Sequence, residues 1–270
     1  MLLCDEGYDV WMGNNRGNVY SRNHTALSPD RDAAFWDFTF EDMAAFDLPA
    51  EIRYVLEYRI GGSRVAGNAS ARRLALPRRS LGYIGHSEGA MQAFAGFTMA
   101  DNAAEADAVA LFGALAPSVF LSHVTSPIVR GLAHAYAAEL AAWFGWRELL
   151  PTTRLNGISP EACRQFPGVC GRVLGLVTGE ADNLNMSRLQ VQVSQTPAGT
   201  SMKNLAHFMQ GLRSGHFRRY VALYKILPLP ILYGVWHTNG RSGEGVVYCA
   251  IVMQLYYNSL GFAGGDAIKG

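Results

Sequence analysis

Polar and apolar positions alternate over Tyr8-Asp9-Val10-Trp11-Met12 and stop at Gly13. That period predicts a strand running into the loop GNNRGN. At Asp47 the period changes. Asp47 stands ahead of Leu48-Pro49, where proline is tolerated in a first helical turn, and Ile52, Val55 and Leu56 line one face of the predicted helix. The Arg-rich stretch 64–79 reads as a solvated connection. Ser80 to Gly85 predicts a second strand. Gly89 to Ala100 predicts a helix that is apolar nearly all round, and therefore buried. Its Ala90, Ala93 and Gly96 permit a neighbouring backbone to come close. Ala108 to Phe112 predicts a third short strand, ending near Ala116-Pro117. Strand, helix, strand, turn, helix, strand is the order of a mostly parallel sheet with helices on both faces.

From Ser118 to Gly179 the pattern changes to helices and loops with no clear strand. The segment from Gly131 to Leu150 carries Leu132, Tyr136, Leu140, Trp143, Phe144 and Trp146. Amphipathicity alone leaves two readings open, a lid whose aromatics touch lipid and a helix packed on the sheet. Pro197-Ala198-Gly199-Thr200-Ser201 then predicts a helix through Leu212, with Thr200 or Ser201 as its cap.

The candidate chemistry lies between the second strand and the buried helix, in Gly85-His86-Ser87-Glu88-Gly89. A glycine two residues to each side allows a sharp strand-to-helix turn that raises the Ser87 hydroxyl at its tip. Serine is a poor nucleophile at its own pKa. It needs an imidazole to take the proton, an acid to orient that imidazole, and N–H donors for the oxyanion. The motif itself supplies one donor, the backbone N–H of Glu88 at the helix N-terminus. His86 adjoins Ser87 in sequence, but the turn directs it elsewhere, and packing beneath the turn is its expected role.

Composition narrows the class. Apolar residues make up 49% of the 270 and charged residues 17%, with a net charge of +1. That balance fits a globular chain and carries no pointer to nucleic acid. The longest apolar run, Val221 to Trp236, is interrupted by Lys225, Pro228 and Pro230 and is too short to span a bilayer. The N-terminus lacks the basic and apolar regions of a signal peptide. Yet sequons stand at Asn23, Asn68 and Asn185, and Cys163 and Cys170 are close enough to close a small loop, whereas Cys4 and Cys249 look unpaired. Together these features point toward an export pathway.

Four stretches resemble the acid lipase family of α/β-hydrolases: GYDVWMGNNRGNVYSRNH, FWDFTFEDMAAFDLPAEIRYVL, GYIGHSEGAMQAFAGF and NLNMSRLQVQVSQTPAGTSMKNLAHFMQGLRSGHF. They stand in family order and cover most of residues 5 to 219. The resemblance implies an α/β-hydrolase fold whose core, residues 1–117 and 181–270, is interrupted by a helical cap or lid at 118–180. It implies hydrolysis of triacylglycerols, sterol esters or related neutral lipid esters through an acyl-enzyme on Ser87, at a lipid–water interface met by the cap. No metal or organic cofactor is implied, and the compartment implied is secreted, lysosomal or vacuolar. Glu88 stands where relatives often carry glutamine, a change outside the chemistry because the backbone donates.

The chain also departs from the family pattern. Relatives have strands ahead of GYDVW, together with a loop that supplies the second oxyanion donor; these first strands are missing here. Leu229 to Gly234 resembles the strand that leads to the triad aspartate, but no acid follows until Glu244, so no triad Asp is identified. The family's C-terminal histidine motif is replaced by Tyr257-Asn258-Ser259-Leu260-Gly261-Phe262, with Ser259 at the histidine position. The other histidines that follow Ser87 are His123, His134, His207, His216 and His237, and Asp182 is the acid that keeps the hydrolase order for a triad rebuilt with His207, His216 or His237. Two readings follow. One is an ester hydrolase by descent whose chain is truncated or degenerate and, with no triad His or Asp identified, is expected to be inactive or inefficient; the other is a non-catalytic lipid-binding protein or a truncated gene product.

Overall fold

The computed structural model describes residues 2–59, 81–149, 160–178, 185–195 and 198–222. The expectations for Asn68, Asp182, His237, Glu244, Cys249, Ser259 and the 229–234 strand lie outside the described residues.

The centre is a parallel pair of strands, β1 (Leu81–His86) and β2 (Val109–Leu115), in register from Gly82 opposite Leu111 to His86 opposite Leu115. Parallel neighbours require a crossover. Here it is made by α4 (Glu88–Gly96) and α5 (Ala103–Ala108). Short helices precede the pair: α1 (Leu2–Asp5), α2 (Phe40–Asp42) and α3 (Leu48–Arg59), with a π-helical turn over Met43–Asp47 joining α2 to α3. Thr39 and Asp42 form a reciprocal capping box at the start of α2.

α4 is buried along most of its length, and Ala90, Ala93 and Gly96 face inward. At Gly96 a Cβ would strike the Ala44 carbonyl at 2.7 Å, so glycine is what lets α4 lie against the π-helical turn. Beneath it, Leu48, Ile52 and Leu56 of α3 pack with Tyr83, Ala93, Phe97 and Ala108. A second aromatic layer of Phe35, Trp36, Phe38, Phe40 and Met43 closes on Met91 of α4.

Tyr8–Met12 does not form a strand. A period of two becomes a strand only when a neighbour takes its backbone bonds, and among the described residues none does. Tyr8, Val10 and Met12 are exposed, while Trp11 turns edge-on to Tyr54 and Tyr58 of α3. The loop that follows is tightly held. Arg16 grips Asp47 through its guanidinium at 2.7 Å and its backbone N–H at 3.0 Å. Asn15 donates to Gln92 of α4 at 2.8 Å.

After β2 come a 3-10 turn (Leu121–His123), α6 (Pro127–His134), α7 (Ala137–Trp143), α8 (Pro160–Gln165), α9 (Pro167–Thr178) and α10 (Leu189–Gln195). Tyr136, left-handed at φ 53°, separates α6 from α7. Cys163 and Cys170 are joined by a disulfide, and Cys4 is free and exposed. A two-residue strand the sequence pattern does not announce, β3 (Glu148–Leu149), pairs antiparallel with β4 (Thr200–Ser201). It ties this region to α11 (Met202–Ser214). Ser201 caps α11, and Gly215 closes it at φ 68°. Ala133, Ala138 and Leu121 are buried against Met202, Ala206, Met209 and Leu212 of α11. The aromatic end of this region is not packed on the sheet: Trp143, Phe144 and Trp146 are each about two-thirds exposed or more. Among the described residues, no helix is long and apolar enough to cross a membrane.

Candidate active site

Ser87 sits between the last residue of β1 and the first of α4, with φ 53° and ψ −112°. A non-glycine residue in that region is strained, and strain of this kind persists only where the surroundings fix it. Here they fix it on both backbone groups. The Ser87 N–H continues the parallel ladder to the Leu115 carbonyl at 2.9 Å. Its carbonyl accepts from Met91 at 3.1 Å, closing the first turn of α4, and from the Ser118 N–H at 3.4 Å. The side chain is left at the tip of the turn, where its Oγ lies 3.0 Å from the Ser118 Oγ. Because Glu88 opens α4, its backbone N–H has no acceptor within the helix and forms part of the positive end of the helix dipole.

The Glu88 side chain is directed away from that chemistry into a polar junction. Asn204 of α11 donates to the Glu88 carboxyl and, at 3.2 Å, to the Thr200 hydroxyl, and its own oxygen accepts the Phe40 N–H at 2.7 Å. Ser201 donates to the Phe38 carbonyl at 2.6 Å. The PAGTS-to-Asn204 segment, the FWDF segment and the residue after Ser87 therefore meet at one point. Burial pushes the Glu88 carboxyl above the usual range, partly countered by the Asn204 hydrogen bond.

Four of the described histidines hold backbone partners away from Ser87. His24 accepts from the Ala26 and Leu27 backbone, His134 lies 2.8 Å from the Arg130 carbonyl, and His216 lies 2.6 Å from the Ser214 carbonyl. His207 is 2% exposed, stacked on Phe40 with ring centres 4.1 Å apart, and bonded through Nε2 to the Arg218 carbonyl at 2.8 Å. Burial pushes it down to about 4, so it is a neutral core imidazole near neutral pH. None of these bonds reaches Ser87. His86 ends β1 just before the turn, and burial lowers its pKa. His123 is exposed. A cleft lined by Phe40, Met91, Val119, His207 and Phe217 adjoins Ser118. Among the described residues, no group of three His, Cys, Asp or Glu side chains is placed to hold a metal ion.

No family model matches the chain. Curated proteins do. Human lipase member J is 30% identical over 97% of this chain and 72% of its own length. Human lipase member K is 36% identical over 81% of this chain and 51% of its own length. The human lysosomal acid lipase/cholesteryl ester hydrolase is 33% identical over the same shares. The chain belongs to the acid lipase family. It spans about half the length of lipase member K and the lysosomal enzyme. As a member of that family it carries the parallel strand pair and strand–turn–helix of an α/β-hydrolase, with Ser87 at the turn. Two residues of this candidate site escaped sequence reasoning, Ser118 and Asn204. A hydroxyl just beyond the Ala116-Pro117 turn was the available signal for the first, and the helix cap at Ser201 with a polar residue three positions on for the second.

Proposed function

We propose that this chain is a lipid ester hydrolase that works through an acyl-enzyme on Ser87. The observation that carries the reading is the strained Ser87 backbone at a strand-to-helix junction, which raises a hydroxyl beside a helix N-terminus. In the reaction, Ser87 Oγ attacks the ester carbonyl carbon as a base takes its proton. The carbonyl electron pair moves onto oxygen and is met by the Glu88 N–H; the tetrahedral adduct then collapses and expels the alcohol, which leaves protonated. Water repeats the sequence on the acyl-enzyme and frees the acid. His24, His134, His207 and His216 hold backbone partners away from Ser87 and do not supply that base.

Neutral lipid esters, triacylglycerols or sterol esters, are the substrate class, and residues 118–180 form a cap between the core segments 1–117 and 181–270. Support comes from the surface that region offers: Trp143, Phe144 and Trp146 stand exposed near Leu132 and Leu140, also exposed. Tryptophan and phenylalanine in such a group suit a lipid–water boundary. The Cys163–Cys170 disulfide and the exposed sequon asparagines Asn23 and Asn185 support a secreted or lysosomal compartment.

The test is to incubate the chain and its Ser87→Ala variant with p-nitrophenyl esters and a fluorophosphonate. Turnover and labelling that vanish in the variant are expected; an unlabelled native chain overturns the hydrolase reading. The same exposed aromatics favour a second reading, a lipid-binding protein without turnover. Binding to triolein emulsions in the absence of ester cleavage would select it.

A further inference from the structure

The turn after β2 is built around Ser87. Ala116 lies at φ 44°, the second non-glycine residue with positive φ in this site, and Pro117 follows with its own φ fixed. A left-handed alanine costs energy, and the chain has not relaxed it with glycine. What the strain achieves is a reversal that brings Ser118 back onto the nucleophile turn. Three bonds result. Leu115 accepts the Ser87 N–H at 2.9 Å, Ser118 donates its N–H to the Ser87 carbonyl at 3.4 Å, and the two hydroxyl oxygens lie 3.0 Å apart.

The direction of the hydroxyl bond has chemical consequences. If Ser87 donated, its proton would point at a group of equal basicity that cannot keep it. If Ser118 donates, the Ser87 proton stays free for a base, and a donor already faces the oxygen that becomes negative during attack. A hydroxyl can both give one hydrogen bond and accept two, so the second arrangement leaves each group able to bond further.

We propose that Ser118 is a positioning residue for the nucleophile: its O–H donates to Ser87 Oγ, holding the attacking lone pair toward the ester and easing the build-up of negative charge as the proton leaves. The proposal rests on the ester-hydrolase reading of Ser87. It adds a role for a residue that the nucleophile motif does not contain and that lies 31 positions away in sequence.

The experiment compares the native chain with Ser118→Ala, Ser118→Thr and Ser87→Ala, reading fluorophosphonate labelling rates and kcat and KM on p-nitrophenyl butyrate. Ser118→Ala is expected to lower the labelling rate and kcat about tenfold, the factor one hydrogen bond of ordinary strength gives. KM should hold, because the bond is made to enzyme and not to substrate. Ser118→Thr keeps the hydroxyl and restores most of the rate. A loss of fold would instead lower the thermal melting of Ser118→Ala and move KM together with kcat, and that pattern overturns the proposal. Native rates or faster in Ser118→Ala also overturn it while leaving the hydrolase reading intact. If the native chain is neither labelled nor active, the hydrolase reading falls and the positioning role falls with it.

Discussion

Asn204 holds the Glu88 carboxyl from the first turn of α11, across a sequence separation of 116 residues. The bond fastens the residue after Ser87 to a helix formed much later in the chain. Asn204 uses both donor hydrogens and its acceptor at that junction. Replacing it with leucine would strand a buried acid and the Phe40 N–H, and we expect a loss of about 2–4 kcal/mol from two unsatisfied groups. Urea denaturation of Asn204→Leu checks the number. Glu88→Gln is expected to behave in the opposite way near neutrality. The folded state raises the Glu88 pKa, so its stabilising contribution is complete below the unfolded value and fades as pH rises through the folded one. Glutamine, neutral at every pH and able to keep the acceptor, should raise the melting temperature at pH 7 and leave it unchanged at pH 4.

Arg213 of α11 is the corresponding fastening for residues 127–143. It donates to the Ala133 carbonyl at 2.7 Å, bonds the Glu139 carboxyl, and lies 4.1 Å from the Tyr136 ring centre. Glu139 is 9% exposed. Removing one partner of a buried pair leaves an uncompensated charge, so Arg213→Met should cost about 3–5 kcal/mol. The double variant Arg213→Met/Glu139→Leu should recover a large part of that loss. The comparison separates charge burial from lost packing, since both variants lose the guanidinium contact with Tyr136. Chemical denaturation of the two proteins reads it directly; equal losses in both would make packing the cause.

Which of these relationships the sequence announces depends on how local their cause is. β1, the Ser87 turn, α4 and β2 were legible because small residues, glycines and apolar runs dictate them within a few positions. Gly96 was legible for the same reason, since a buried helix meeting a neighbour closely needs a residue without Cβ. Tyr8–Met12 carries the right period for a strand, but the period says nothing about whether a partner strand stands beside it. The break at Tyr136 has no signal either, because a left-handed tyrosine is set by Arg213 and the packing of α6 and α7 on α11. Ser118 and Asn204 depend on chain reversals whose geometry no motif records. His207 was ambiguous in sequence, as a lone histidine on a helix always is; its stacking on Phe40 and bond to Arg218 make it core.

The Cys163–Cys170 bridge closes a loop of sequence separation 7 between α8 and α9. On the chain-entropy account a loop this short contributes about 2–3 kcal/mol. Cys163 is 1% exposed, so its replacement also disturbs packing. Reduction is therefore the cleaner probe than mutation. With dithiothreitol, hydrogen exchange should quicken over residues 160–178 and stay slow in α3 and α4, whose burial does not involve the bridge. Uniform quickening across both regions would show that the bridge supports the whole fold.

Two buried groups set opposite limits on stability with pH. Glu51 lies beneath Gly13, and burial together with the nearby Asp47 pushes it up to about 8. Its folded pKa exceeds the unfolded value, so its contribution is fully present below about pH 4.5 and is lost as pH rises through 8. His207 is depressed to about 4, chiefly by burial. Its neutral form is favoured by folding, so its contribution is complete above about pH 6.5 and drains away between there and pH 4, by about 3 kcal/mol. Between about pH 4.5 and 6.5 the two slopes oppose and offset each other, so the native chain should melt at its highest temperature in that mildly acid range. Glu51→Gln should remove the loss that sets in above about pH 4.5, raising the melting temperature most at pH 8 and leaving it nearly unchanged at pH 4, because a neutral amide at that site has no proton to lose. Melting curves of the native chain and Glu51→Gln from pH 4 to pH 9 measure this; an alkaline slope that survives the substitution would place its origin in another group.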